Sequence, residues 1–221
     1  MNVYFIYTAI GLGFIHVLLG FDHYIPFIFL SKAEKWNDKK TFIIVFLSGL
    51  FHVLSSIFIG FVGLYLKNNL FFIKQLELSR GELAGWLLIV FGILYIIFSI
   101  KKINRKLLNL DKSSDIKGNT IANLIRSHPK SYFFIILIFV LGPCEPLIPL
   151  MLYPHKSSET FLWIISIFLF SFTTIITMLI AVFIGRKILT LIKNPKFSNS
   201  LPTITGAIIA LCGIAVTFFN V

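Results

Sequence analysis

The sequence predicts an all-α polytopic membrane protein of six transmembrane helices, arranged as two inverted three-helix repeats. Three observations lead there: six long apolar stretches, an alternation of basic residues between connectors, and matching motifs at a nearly constant offset. Of 221 residues, 57% are apolar, 16% aromatic and 13% charged, and Phe alone contributes 25. Mean hydropathy is +0.91. Soluble domains carry about 25% charged and about 45–50% apolar residues. Disorder, a collagen-like fibre and a disulfide-stapled secreted fold are excluded.

The six stretches are Val3–Leu30, Phe42–Leu66, Leu83–Ile100, Ser131–Tyr153, Phe161–Gly185 and Leu201–Val221. Each approaches or exceeds the ~20 residues needed to cross ~30 Å of hydrocarbon. The first holds His16, Asp22 and His23 and lacks a basic start, so it is expected to stay in place rather than be cleaved as a signal peptide. The formal net charge of +11 resides in short connectors. It marks loops facing anionic lipid rather than a nucleic-acid surface. Connectors one, three and five carry 16 Lys and Arg against 4 in connectors two and four. The positive-inside rule then puts the odd connectors in the cytoplasm and both termini outside, in a bacterial-type inner membrane. Connector two, residues 67–82, reads as a short helix in the outer interface. Connector three, residues 101–130, is a polar hinge between a first repeat (1–100) and a second (131–221).

The halves match at offsets of 121 to 125 residues. Asp22/Pro26 answers Glu145/Pro149, Phe58-Ile59-Gly60 answers Phe183-Ile184-Gly185, and Gly85/Gly92 answers Gly206/Gly213. Three spans per half invert the second half, an architecture used by transporters with a midplane site where broken helices meet. Gly20 and Pro26 break the first helix; Gly142, Pro143, Pro146 and Pro149 break the fourth. Proline leaves a carbonyl unpaired, which is tolerated only against protein or a wet cavity.

Ionisable groups within a span cost roughly 2.5–3.5 kcal/mol each and so require partners or a wet site. His16 and His23 are seven residues apart, two helical turns, and are expected on one face. Imidazole with carboxylate suits divalent Ni, Co, Zn or Fe; Asp22 either ligates or orients a histidine. His52, on the second helix, is a third ligand or an interhelical hydrogen bonder. Glu145 is read as a second buried acid that meets Asp22 near midplane. Cys144 beside it is a soft ligand, a redox thiol or inert packing. His128 and His155, at span ends, read as solvated interfacial residues. No Lys or Arg is expected deep in a span.

At these residues the chain resembles the nickel/cobalt efflux and urease-accessory-type membrane proteins, through His16-x5-Asp22-His23 and Gly142-Pro-Cys-Glu-Pro146. These sit in a wider superfamily with the TauE/SafE, LysE and DsbD-like transporters. The nickel–cobalt permeases have His-x4-Asp-His; the five-residue spacing here fits the urease-accessory-like branch better. The resemblance implies a small-solute or metal transporter with the first-helix His-Asp-His at its site. The DsbD-like relatives imply a thiol–disulfide electron carrier, which needs one cysteine in the first span and one in the fourth. The first span has none, and Cys212 lies in the sixth. A sulfite-type small-anion exporter is the third option.

The expectation is therefore an exporter of a divalent transition metal in a lipid bilayer, not an enzyme. The metal is substrate, and no permanently bound cofactor or nucleic acid is expected. A homo-oligomer is left open. No Gly-x4-Gly-Lys-Ser/Thr loop is present, so active transport draws on an ion gradient or a partner.

Overall fold

The computed structural model describes residues 4–65, 70–107, 131–152, 160–192 and 195–219, and every regular element in them is helical. The 23 residues from 108 to 130 lie outside this set, with His128 and most of the expected hinge; so does His155. Helix α1 (Tyr4–Leu19) ends at Gly20, a single 3-10 turn (Phe21–His23) follows, and α2 (Ile25–Ala33) continues. The chain bends by 79° across this break. Then come α3 (Asp38–Tyr65), α4 (Leu70–Leu107), α5 (Ser131–Leu141), α6 (Leu147–Leu152), α7 (Thr160–Leu191) and α8 (Pro195–Phe219).

Among the described residues, four helices contain segments long and apolar enough to cross a membrane: Asp38–Gly63, Lys74–Lys101, Thr160–Leu191 and Ser200–Phe218. The bent pair α1 and α2 makes a fifth. The expected span Ser131–Tyr153 is instead two short helices, α5 and α6, separated at Gly142–Pro146. Pro143 and Pro146 each lack the N–H that would continue the ladder. Large apolar side chains such as Phe58, Phe161, Phe168, Leu211 and Phe218 are exposed, as a lipid-facing surface requires.

Connector two does not form a short helix of its own. Residues 70–82 form the first turns of α4, and Glu77 and Arg80 lie within the Lys74–Lys101 span. Arg80 and the buried Arg186 fall inside these candidate spans, each near an end. Each is accommodated by backbone oxygens, Arg186 by Trp36 O at 2.9 Å and Arg80 by carbonyls described below. Arg186 also pairs with Asp38 at 3.0 Å, which fastens α7 to the start of α3.

Helices α4 and α8 pack along much of their length. Gly85 lies against Gly213, and Gly92 against Gly206: a Cβ on Gly92 would stand 2.6 Å from Gly206 O, and one on Gly213 2.6 Å from Gly85 O. Only residues without a side chain allow backbones this close, the small-residue packing that holds helices together in lipid. Elsewhere α1 and α2 pack on α7, and α3 packs on α5, α6 and α7. Gly60 of α3 meets Met151 of α6, while Gly185 of α7 meets Ile28 of α2.

Candidate metal centre

Two breaks in the helical ladder create the site. In the first, Gly20 N–H donates to His16 O at 2.9 Å and ends α1. The His23 ring then folds over Gly20, where a Cβ would stand 2.6 Å from its Nδ1. Glycine is required there by that approach. In the second break, Gly142 N–H still reaches Ile138 O, but Pro143 cannot donate to the preceding turn. Carbonyls freed in this way must find other donors at membrane depth. His52 Nδ1 donates to Phe139 O at 3.2 Å. Arg80 Nη2 donates to Val140 O at 3.0 Å, Gly142 O at 3.3 Å and Ser55 Oγ at 2.9 Å. Both arginine and histidine thus act on the break, and one of them also belongs to the site.

His16, His23 and His52 converge, with one ligand atom from each within 4.8 Å of the others. Ring centroids are 4.7 Å apart for His16–His23, 5.0 Å for His23–His52 and 6.1 Å for His16–His52. The expected route to this proximity was wrong. Seven residues of continuous helix would separate His16 and His23 by about 10.5 Å along the axis. The break at Gly20 brings them together instead.

Hydrogen bonding prepares two of the rings as ligands. His23 Nδ1 faces two acceptors, Asp22 Oδ1 at 2.9 Å and Gly20 O at 3.0 Å. His52 Nδ1 faces a carbonyl. The acceptors assign the neutral rings' protons to Nδ1 and leave the lone pairs on Nε2. Both Nε2 atoms are buried and have no hydrogen-bond partner. An unsatisfied buried polar group costs about 1–3 kcal/mol, and two such nitrogens lie in this one cluster. Asp22 stands behind the His23 ring, within hydrogen-bond distance of its Nδ1, the place a carboxylate takes when it orients a ligating histidine.

Asp22→Asn removes that carboxylate charge with little change in shape. Metal affinity should fall about 10- to 100-fold, as for other outer-sphere partners of ligating histidines. Isothermal titration of the purified protein checks this; an unchanged affinity would mean that Asp22 does not tune the site.

A cavity of about 20 Å³ lies among Asp22, His23, His52, Phe139, Gly142 and Pro143. A single water needs at least roughly 10–15 Å³, so the cavity has room for one water or a bare ion. Cys144 is fully buried, with Sγ 3.6 Å from His16 Nε2. Cys144 and Cys212 are both free thiols. Glu145 does not join the site: it is exposed, in the turn between two prolines, and the meeting with Asp22 near midplane is not found. Pro26 and Pro146 border the breaks, while Pro149 lies inside α6. Arg80 was the supporting residue missed from sequence. Its signal was the Glu77/Arg80 pair three apart in a helical pattern that continues directly into an apolar span.

Residues 25–215 match the family described as the cytochrome c biogenesis protein transmembrane region. The chain belongs to this family. That supports the DsbD-like superfamily to which the sequence pointed. The family segment includes His52, Arg80 and Cys144 but begins after His16, Asp22 and His23. No curated protein and no solved structure matches the chain.

Proposed function

We propose that this protein is a transporter that carries a divalent transition-metal cation across the inner membrane through the His16–His23–His52 centre. The observation that carries the reading is the convergence of three imidazoles, two of them with buried, unpartnered Nε2 lone pairs. The proposed architecture is six spans in two inverted halves. The broken helix α1–α2 followed by α3 and α4 answers α5–α6 followed by α7 and α8. Exchanged contacts support it: Gly60 with Met151 against Gly185 with Ile28, and Gly85 with Gly213 against Gly92 with Gly206. A two-fold axis between the halves generates such swaps. The substrate then sits where the two broken helices face each other, as in other inverted-repeat transporters.

The test is cation flux in proteoliposomes, offered Ni²⁺, Co²⁺ and Zn²⁺ separately. Wild-type protein should move at least one of them, and its binding should weaken as pH falls, because protons compete for the ligating nitrogens. Absence of flux and of binding for all three would sink the reading. Orientation is tested with reporter fusions after Ser113 and Asn220. Opposite signals, with the C-terminus outside, are expected from the 16-to-4 distribution of basic residues; a cytoplasmic C-terminus contradicts the topology.

A second reading, thiol–disulfide transfer, is favoured by the family and by the burial of Cys144 at the second break. It requires a thiol partner for Cys144. Metal flux through wild-type protein that transfers no thiol–disulfide equivalents would set it aside.

A further inference from the structure

Resting on the cation reading, we infer that Cys144 supplies a fourth, thiolate ligand and that the substrate is a tetrahedral, zinc-class divalent ion. Three observations converge on this. The first is distance. Around a tetrahedral ion with nitrogen at about 2.0–2.1 Å and sulfur at about 2.3 Å, those ligand atoms stand about 3.5 Å apart; at an octahedral right angle they stand about 3.1 Å apart. Cys144 Sγ lies 3.6 Å from His16 Nε2. The imidazole atoms, at up to 4.8 Å, then have to draw together by up to about 1.4 Å to reach the ~3.4 Å of a nitrogen pair.

The second observation is space. An octahedral ion held by four protein donors keeps two waters, each needing at least roughly 10–15 Å³ beyond the ion itself. The cavity beside His23 and His52 offers about 20 Å³, too little for an ion together with two waters. Four protein donors fill a tetrahedral shell and need no water. The third is charge. With Arg80 and its neighbour Glu77 opposing one another in charge, Cys144 as thiolate and Asp22 as carboxylate leave two negative charges around three neutral rings, which a divalent cation cancels in a medium where a net charge is costly. Thiolate in the set also selects the softer metals. On ligation the Cys144 S–H bond breaks, the S–metal bond forms and the proton leaves to solvent, with no change of oxidation state.

Arg80 strengthens the arrangement as a positioning residue. Its hold on Val140 O and Gly142 O fixes the carbonyls immediately before Cys144. The fourth ligand is thus presented by a clamped turn rather than by a regular helix.

The experiment uses purified full-length protein, metal-free in detergent micelles, titrated with Co²⁺ as a spectroscopic probe and then with Zn²⁺. Wild type should show intense visible ligand-field bands and a near-ultraviolet sulfur-to-cobalt band, both removed by Zn²⁺. Cys144→Ser should lose the sulfur band and at least 10-fold in zinc affinity; Cys212→Ser should keep both. Thermal melts of each metal-free variant establish that it is folded, and the wild-type spectrum tests the inference even if Cys144→Ser is not. Weak octahedral-type bands without the sulfur band overturn the fourth ligand while leaving cation transport standing. Tight cuprous binding without zinc binding overturns the divalent assignment. A protein that binds no metal at all takes the transport reading down as well.

Discussion

His52→Ala is expected to lower affinity for the transported cation by about 100-fold, or about 2.8 kcal/mol, and to reduce flux to that of empty liposomes. The substitution removes one of three converging nitrogens but leaves the second break otherwise intact. Phe139 O keeps the Gly142 N–H at 3.2 Å, and Arg80 keeps its three acceptors. His23→Ala is a blunter change, because it also strips Asp22 of its hydrogen-bonded partner. Ligand-dependent stabilisation separates binding from folding. At 100 times the dissociation constant a bound ligand adds about 2.7 kcal/mol, so metal should raise the melting temperature of wild type and leave that of His52→Ala where it was. Equal metal-induced shifts in both proteins would remove His52 from the site.

Gly206→Leu should have the largest effect on stability, about 3 kcal/mol or more, in the range of severe overpacking. Even the first added carbon would stand 2.7 Å from Ile96 Cγ1, 2.8 Å from Gly92 O and 2.9 Å from Ile96 N. Two of these are backbone atoms of a long helix and cannot swing aside. The helices α4 and α8 must part, and α8 also packs on the 3-10 turn that carries Asp22 and His23. Loss of folded protein in detergent and loss of metal binding are therefore expected together. Gly11→Ala provides the contrast: nothing lies within 4 Å of its new carbon. In a helix that change is neutral or stabilising by up to about 1 kcal/mol. Similar melting temperatures for Gly206→Leu and wild type would contradict the close crossing.

Local rules made much of this legible in the sequence. Apolar length marked the spans, and glycine and proline marked both breaks, because each depends on a few consecutive residues. His16, Asp22, His23 and His52 were candidates from residue type and depth alone. What local rules could not supply was the partner. Arg80 reads as a surface charge until carbonyls 60 and 62 residues away are brought to it. Without that contact, the first turns of α4 look too polar to belong to a span. Glu145 failed in the opposite direction. Its place in an apolar stretch implied burial, yet the prolines on both sides put it in a turn whose side chain faces out. The repeat matched Glu145 to Asp22 in sequence, but Asp22 is tied to a neighbouring histidine and Glu145 has no such neighbour in sequence.

Anomalous scattering at the metal edge from zinc-loaded protein tests the central claim most directly. One ion per chain is expected among His16, His23 and His52, at about 2.0–2.1 Å from a nitrogen of each ring. An ion bound elsewhere, or no ion at all, would contradict it.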